Sequence, residues 1–421
     1  MLNPNLSRRE MLKLGAAGVL GTGMSGWLNI LASHAAETRA KSKSCILLWM
    51  DGGPSHKDTF DLRPGTAQGG PFKSIQTNVP GIQVSEHFPR LSQLMNHGAI
   101  VRSMTTGEGA HGRAKYYMHT GYKEGVGGLV YPSLGAIVAK EIGKQDSALP
   151  NYVSIGNRSY GSGFLGARHQ PLVVADPARG VENLRSQLAT ERFNNRVNLL
   201  DQLEAGFHRT HGDELSTAHR TTYQRAVELM RDQGTKAFDI GNESASGRAA
   251  YGTTKFGEGC LLARRLVETG ISFVEVTLGG WDTHQNNFER VSQLSKTVDA
   301  PMSQLITDLR ERGLLDSTLV IWMGEFGRTP RINQRGPQPG RDHYPRAWSL
   351  AMFGGGIRGG QVVGRTDSEA ATVVDRPVST LDFMATVCRI LGIDYNKQNN
   401  TQLGRPIRIV DRGANPISQL V

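Results

Sequence analysis

Cysteine is scarce: Cys45, Cys260 and Cys388 are the only three in 421 residues. So few and so scattered, they exclude a disulfide framework and a thiolate metal site. Aromatic residues make up 7% and hydrophobic residues 38%. Past the first 36 residues no apolar run approaches the roughly 20 residues a membrane helix needs, which excludes a multi-span membrane protein. Acidic residues are outnumbered, 38 against 48 basic ones, giving a formal charge of +10. The basic residues are dispersed, and groups such as Arg264-Arg265 and Arg310-Glu311-Arg312 have acids close by. A nucleic-acid binder would gather them on one element among aromatics, so nucleic acid is not expected as a partner. Glycine is what the chain has in excess, 51 residues, about 12% against a usual ~7%. Without a collagen period, that excess means many tight turns. The length suits one large α/β domain or two ordinary ones.

Residues 1–36 are set apart from the rest. Ser7-Arg8-Arg9-Glu10-Met11-Leu12-Lys13 opens a Gly/Ala-rich apolar stretch from Leu14 to about Leu31, and small residues follow through Ala36. A charged start, a mild apolar middle and a small-residue cleavage zone make a secretory signal. The paired arginines resemble the twin-arginine export signal, which implies the twin-arginine machinery as a partner and a periplasmic or secreted destination. Gly15, Gly18, Gly21, Gly23 and Gly26 argue against the alternative, a permanent membrane anchor, so no stable span is expected after cleavage. Cleavage removes three basic residues and one acidic one, leaving +8.

Residues 37–421 are expected to form one α/β domain. Ser44–Met50, Gly98–Met104, Asn151–Ile155, Gly270–Leu278, Ser317–Met323 and Trp348–Phe353 are largely apolar runs bounded by glycine. Such runs suit strands buried on both faces. Helical patterns lie between them, over Ser133–Ile142, Phe256–Thr269, Phe288–Arg312 and Ser379–Leu391. The alternation predicts a mostly parallel sheet sandwiched by helices. The polar stretch over about 181–235 has no strand-like run and reads as a helical insertion. Its His208, His211 and His219 read as a solvated helical face.

Four Gly-flanked clusters fall at strand ends or helix starts, where open α/β sheets build their sites. Asp51 ends the first strand and is followed by Gly52-Gly53. His111 and Arg113 lie where Gly107–Gly112 leads into a helix, whose N-terminus favours anions. Asp282 and His284, two apart on an extended loop, point the same way and can share a cation. Glu325 and Arg328 follow the STLVIWM strand, and Asp342-His343 arrive after a Pro/Gly-rich loop. By itself, His111 reads first as a residue that caps or orders its loop. Alone, Asp51 also reads as a turn cap, Asp282 and His284 as a chance pair, and the Glu325 and Asp342-His343 loops as surface ion pairs. Together they offer enough oxygen and imidazole ligands for one or two divalent cations, such as zinc or manganese.

The strings GGPSHKDTFD, MHTGY, GGWDTH, GEFGRTP and GRDHYPRAWS resemble the exported bacterial DUF1501 proteins, distantly sulfatase-like and related to the alkaline phosphatase superfamily. The resemblance runs over nearly all of the mature chain. It implies an alkaline-phosphatase/sulfatase-like fold and places Asp51, Asp282, His284, Glu325, Asp342 and His343 in a metal-binding set. The superfamily's Ser, Thr or modified Cys nucleophile falls on His111, which carries neither hydroxyl nor thiol; Thr105 and Thr106 are nearby in a poorer register. Glu325-Phe326 stands where an Asp-His pair is usual, so one of two metal sites is expected to be weakened or missing. The implied activity is metal-dependent hydrolysis of phosphate or sulfate esters, small or glycan-borne. His111 would serve as nucleophile or acid/base, and Arg113 or Arg328 would clamp the anion. The alternative is a non-catalytic exported protein that binds sulfated or phosphorylated glycans.

Overall fold

The apolar, glycine-bounded runs become strands of one sheet. The computed structural model describes residues 43–421 except 185, 212 and 213, so the expected export signal lies outside the described residues. Residues 43–421 form one unit. Its sheet comprises β1 (Ser44–Met50), β2 (Gly98–Thr105), β3 (Tyr152–Ile155), β4 (Leu172–Val174), β5 (Phe273–Leu278) and β6 (Thr318–Met323). Beyond β7 (Gly327–Arg328) and β8 (His343–Tyr344), which pair only with each other, come β9 (Trp348–Gly354), β10 (Gln361–Val363) and β11 (Val378–Ser379). The order is β10-β2-β9-β6-β1-β5-β3-β4, with β11 beside β2. Strand β9 runs antiparallel to β2 and β6; the other pairings in this sheet are parallel.

The helices that cover the sheet are α1 (His111–Thr120), α2 (Leu134–Glu141), α5 (Lys255–Glu268), α6 (Asn287–Glu311) and α7 (Thr380–Leu391). Every residue of β1 is buried, because its side chains alternate between two covered faces. Ile46, Leu48 and Met50 join a core with Cys260 of α5 and Val298, Met302 and Leu305 of α6. Cys45, Leu47 and Trp49 join another with Ile137 of α2 and Phe383 and Val387 of α7. Helix α7 starts at a reciprocal capping box between Ser379 and Asp382 and ends at left-handed Gly392, which satisfies backbone groups a helix end leaves orphaned.

Within the polar stretch, α3 (Thr190–His211) and α4 (Glu214–Arg231) are the expected helices. His219 bonds Glu204 across them at 2.7 Å; the side chains of His208 and His211 lie outside the described ones. Among the described residues no helix is long and apolar enough to cross a membrane. The parallel arrangement puts the carboxyl ends of β1, β5 and β6 on one edge of the sheet, and the chemistry gathers there.

Candidate metal centre

Strand β6 stops at Met323, and Glu325 follows with its side chain wholly buried. A buried carboxylate needs compensating donors. Glu325 receives the backbone N–H of Gly52 at 3.2 and 3.3 Å and meets His111 Nδ1 at 2.5 Å. Gly52 adopts φ +115°, and a Cβ there would run into the backbone nitrogen of Asp282 and lie 2.8 Å from the carbonyl carbon of Trp281. Only glycine lets the turn after β1 lie against the loop after β5.

Three imidazoles converge above this turn. His111 opens α1, His284 rides the loop after β5, and His343 lies on β8. Each has an acceptor at Nδ1: Glu325 for His111, Asp342 Oδ1 at 2.9 Å for His284, and the Gly109 carbonyl at 2.8 Å for His343. Those partners assign the proton to Nδ1 and leave the Nε2 lone pair free in the neutral ring. All three Nε2 atoms then face one oxygen, Asp282 Oδ1, at 3.4, 3.2 and 3.4 Å for His111, His284 and His343. His284 Nε2 and His343 Nε2 stand 2.9 Å apart, and His111 Nε2 is buried without a hydrogen bond. Lone pairs so close need a proton or a cation between them. His111, Asp282 and His343 each bring a ligand atom within 4.8 Å of the others. The Phe326 ring braces His111 and His343, with centroids 4.9 and 4.7 Å away.

Arg328, wholly buried, donates to Asp282 Oδ1 at 2.6 Å. It also bonds the carbonyls of Gly52, Gly53 and Arg341. Burial opposes ionisation of Asp282, but Arg328, with His111 and His284 behind it, holds that carboxyl down to about 2. The short bond to Glu325 raises the His111 pKa. Burial, then the positive charge of Arg328, lowers that of His343. With Asp282 46% and His284 42% exposed, the cluster opens to solvent.

His111, Asp282, His284 and His343 thus come together, while Glu325 and Asp342 stand one hydrogen bond behind them. Asp51, placed in the metal set by resemblance, lies elsewhere: its Oδ1 meets Lys115 Nζ at 2.6 Å and Trp49 Nε1 at 3.2 Å. Arg113 is exposed and bonds Glu108 at 3.0 Å. Thr106 is buried, donating to the Glu325 carbonyl at 3.0 Å and accepting from Trp348 at 2.8 Å, so its hydroxyl is engaged away from the cluster. Lys115, His119 and Glu275 are not among the residues the sequence singled out for the site. Glu275 left a signal, a carboxylate inside the apolar run FVEVTL. The donor set, three imidazoles and a carboxylate backed by further acceptors, fits a borderline divalent cation and suits neither calcium nor magnesium.

A family model described as "Protein of unknown function (DUF1501)" matches residues 42–421. No curated protein matches the chain. Solved structures similar to it include the PsFucS1 sulfatase from Pseudoalteromonas sp., at 14% identity and TM-score 0.41, covering 86% of this chain and 70% of that one. The lipoteichoic acid synthase LtaP from Listeria monocytogenes is similar at 12% identity and TM-score 0.37, covering 88% and 75%. A phosphonate monoester hydrolase of Agrobacterium radiobacter is similar at 12% and 0.32, covering 89% and 79%.

Proposed function

We propose, for a chain that belongs to the DUF1501 family, that the His–Asp cluster binds one divalent cation and hydrolyses phosphate or sulfate monoesters. The observation that carries this reading is the convergence of three Nε2 lone pairs on one oxygen of Asp282, each ring fixed by a partner at Nδ1. Histidines that ligate metals are held in this manner, and the acceptor makes the ring a better donor.

A divalent cation supplies charge neutralisation for the ester's anionic oxygens and Lewis acidity toward an attacking water. His111, His284, His343 and Asp282 would be its ligands. Glu325 and Asp342 keep His111 and His284 in the required tautomer, and the Gly109 carbonyl does the same for His343. Arg328 holds Asp282 ionised by donating to Oδ1, the same oxygen the imidazoles surround. Its own donors are largely committed to backbone carbonyls, so it is a positioning residue and not a clamp on the anion. His111 fits a ligand better than a nucleophile, because its Nε2 faces the same oxygen as the other two rings. Water is then the nucleophile, which accords with the missing hydroxyl at position 111.

The test is metal analysis of the purified mature protein together with a panel of phosphate and sulfate esters, for wild type, His284→Ala and His111→Ala. The expected result is about one equivalent of metal and turnover in wild type, with both lost in the variants. A protein without stoichiometric metal would end the reading. Metal retained with no turnover across the panel would turn it into anion binding without catalysis. We further propose that residues 1–36 direct export by the twin-arginine route, as the Ser-Arg-Arg motif supports.

A further inference from the structure

Beside the cluster lies a cleft of about 440 Å³ that the proposed hydrolysis does not use. It sits at the carboxyl ends of β1, β5 and β3, on the sheet face that holds Trp49. Side chains two apart on a strand share a face. Trp49 and Asp51 therefore project together, as do Glu275 and Thr277, whose β5 positions lie opposite Leu47 and Trp49 of β1. Helix α1 forms one wall: Lys115 and His119 follow His111 at successive i+4 steps, about 6 and 12 Å along the axis. The loop of Asn157, Arg158 and Tyr160 forms the other.

The floor carries a costly feature. Glu275 is 2% exposed in the middle of a central strand, where Val or Ile would serve the fold better. It is held by Ser159 Oγ at 2.6 Å, Tyr152 OH at 3.3 Å and His119 Nε2 at 3.3 Å. His119 Nδ1 in turn bonds the Lys115 carbonyl at 2.8 Å. Glu275 thereby ties α1 to the loop across the cleft and sets the cleft's width. The cleft and the cluster also share a wall. The Asp51 carbonyl accepts from Trp281 N at 3.1 Å, and the next residue, Gly52, holds Glu325.

Resting on the hydrolase reading, we propose that this cleft binds the organic half of the ester, and that this half is a polyhydroxylated ring. Beyond their mutual 2.6 Å bond, Lys115 keeps further N–H donors and Asp51 its second carboxylate oxygen; Arg158 and Asn157 add donors and Thr277 an acceptor. Hydroxyl groups, which both donate and accept, satisfy such a mixture. An alkyl or aryl alcohol would strip water from these groups and return no hydrogen bonds. The volume lies within the range of small-ligand sites. A ring seated against Lys115 would place its ester oxygen one helical turn from His111.

The test is calorimetric titration of the full mature protein with glucose 6-phosphate, glucose 6-sulfate, inorganic phosphate and inorganic sulfate. Wild type is compared with the double variant Asn157→Ala/Arg158→Ala, both on an exposed loop, and with Glu275→Gln. For one of the two anions, the sugar ester should bind wild type about tenfold or more tightly than the bare anion, as a few charge-assisted hydrogen bonds give. In the double variant that ratio should fall toward one. The loop variant carries the test if Glu275→Gln does not fold. A ratio near one in wild type, an unaltered ratio in the double variant, or no sugar-ester binding at millimolar concentration would each overturn the proposal. Because the ratio requires no turnover, a failed cleft and a failed hydrolase are told apart.

Discussion

Replacing Gly52 by alanine tests whether the turn after β1 and the loop bearing Asp282 form one rigid unit. The residue sits at φ +115°, a conformation that costs an L-residue roughly 1–2 kcal/mol. The added methyl would also lie 2.8 Å from the Trp281 carbonyl carbon and closer still to the Asp282 nitrogen. Both are backbone atoms that no side-chain rotation can move. Relieving that overlap costs about 1–3 kcal/mol more, so Gly52→Ala should lose roughly 2–5 kcal/mol in total. The geometric effect is sharper than the thermodynamic one. The 281–282 backbone must retreat, carrying with it the oxygen on which three imidazoles converge. The Gly52 N–H that holds Glu325 must shift as well. A displacement of this kind, about 1 Å, can cost on the order of a hundredfold in activity. Differential scanning fluorimetry and a metal titration on the same preparation measure both effects. A Gly52→Ala protein with wild-type thermal midpoint and metal affinity would refute the reasoning, for the two loops would then be free to part without consequence.

Glu325→Gln keeps the volume and can still accept from Gly52 N–H, yet loses the charge behind His111. Metal affinity, measured by competition with a chelator, should fall about 10- to 100-fold; an unchanged affinity would mean that His111 is not a ligand. His56 is buried, and burial lowers its pKa below the usual 6.5. Below about pH 6.5 the unfolded chain takes up a proton that the folded chain refuses, so this group makes stability fall as pH drops. His56→Asn should flatten the acid side of the thermal-midpoint profile, and superimposable profiles would contradict that assignment. Changing Arg8 and Arg9 together to lysine should leave the full-length protein inside the cell in a fractionation assay; unchanged export would remove the twin-arginine reading.

Much of the fold was legible because buried parallel strands announce themselves as apolar runs. Ser44–Met50 is a strand over those same limits, and Gly270–Leu278 shortens to Phe273–Leu278 because the approach to the strand reads as apolar as the strand itself. Helix α6 runs through Pro301 as the pattern over Phe288–Arg312 implied. Of the six residues expected in one set, three, Asp282, His284 and Glu325, lie together on the loops after β5 and β6. Asp342 and His343 complete the set. Asp51 shows what one sequence withholds. Its parity with Trp49 fixes its face relative to β1, but which face meets the three imidazoles depends on where α1 and the loop after β5 pack, and those are long-range facts. Glu275 and His119 were missed for a related reason: a lone carboxylate in a strand and a lone imidazole on a helix acquire meaning only when residues 156 positions apart are folded together.

The same distances give the cluster a further property. Gly109 and His343, bonded to each other, stand 234 residues apart, and His111 and Glu325 stand 214 apart. No stretch of nascent chain carries the whole constellation, and it cannot assemble until β5 and β6 have closed on β1 from opposite sides. Until then each imidazole is an isolated, weak donor; afterwards three lone pairs and a carboxylate crowd one opening, a locally frustrated arrangement that the proposed cation would relieve. Capture of the ion would therefore be a late event in maturation, and the bound ion a seal on a chain that has finished folding.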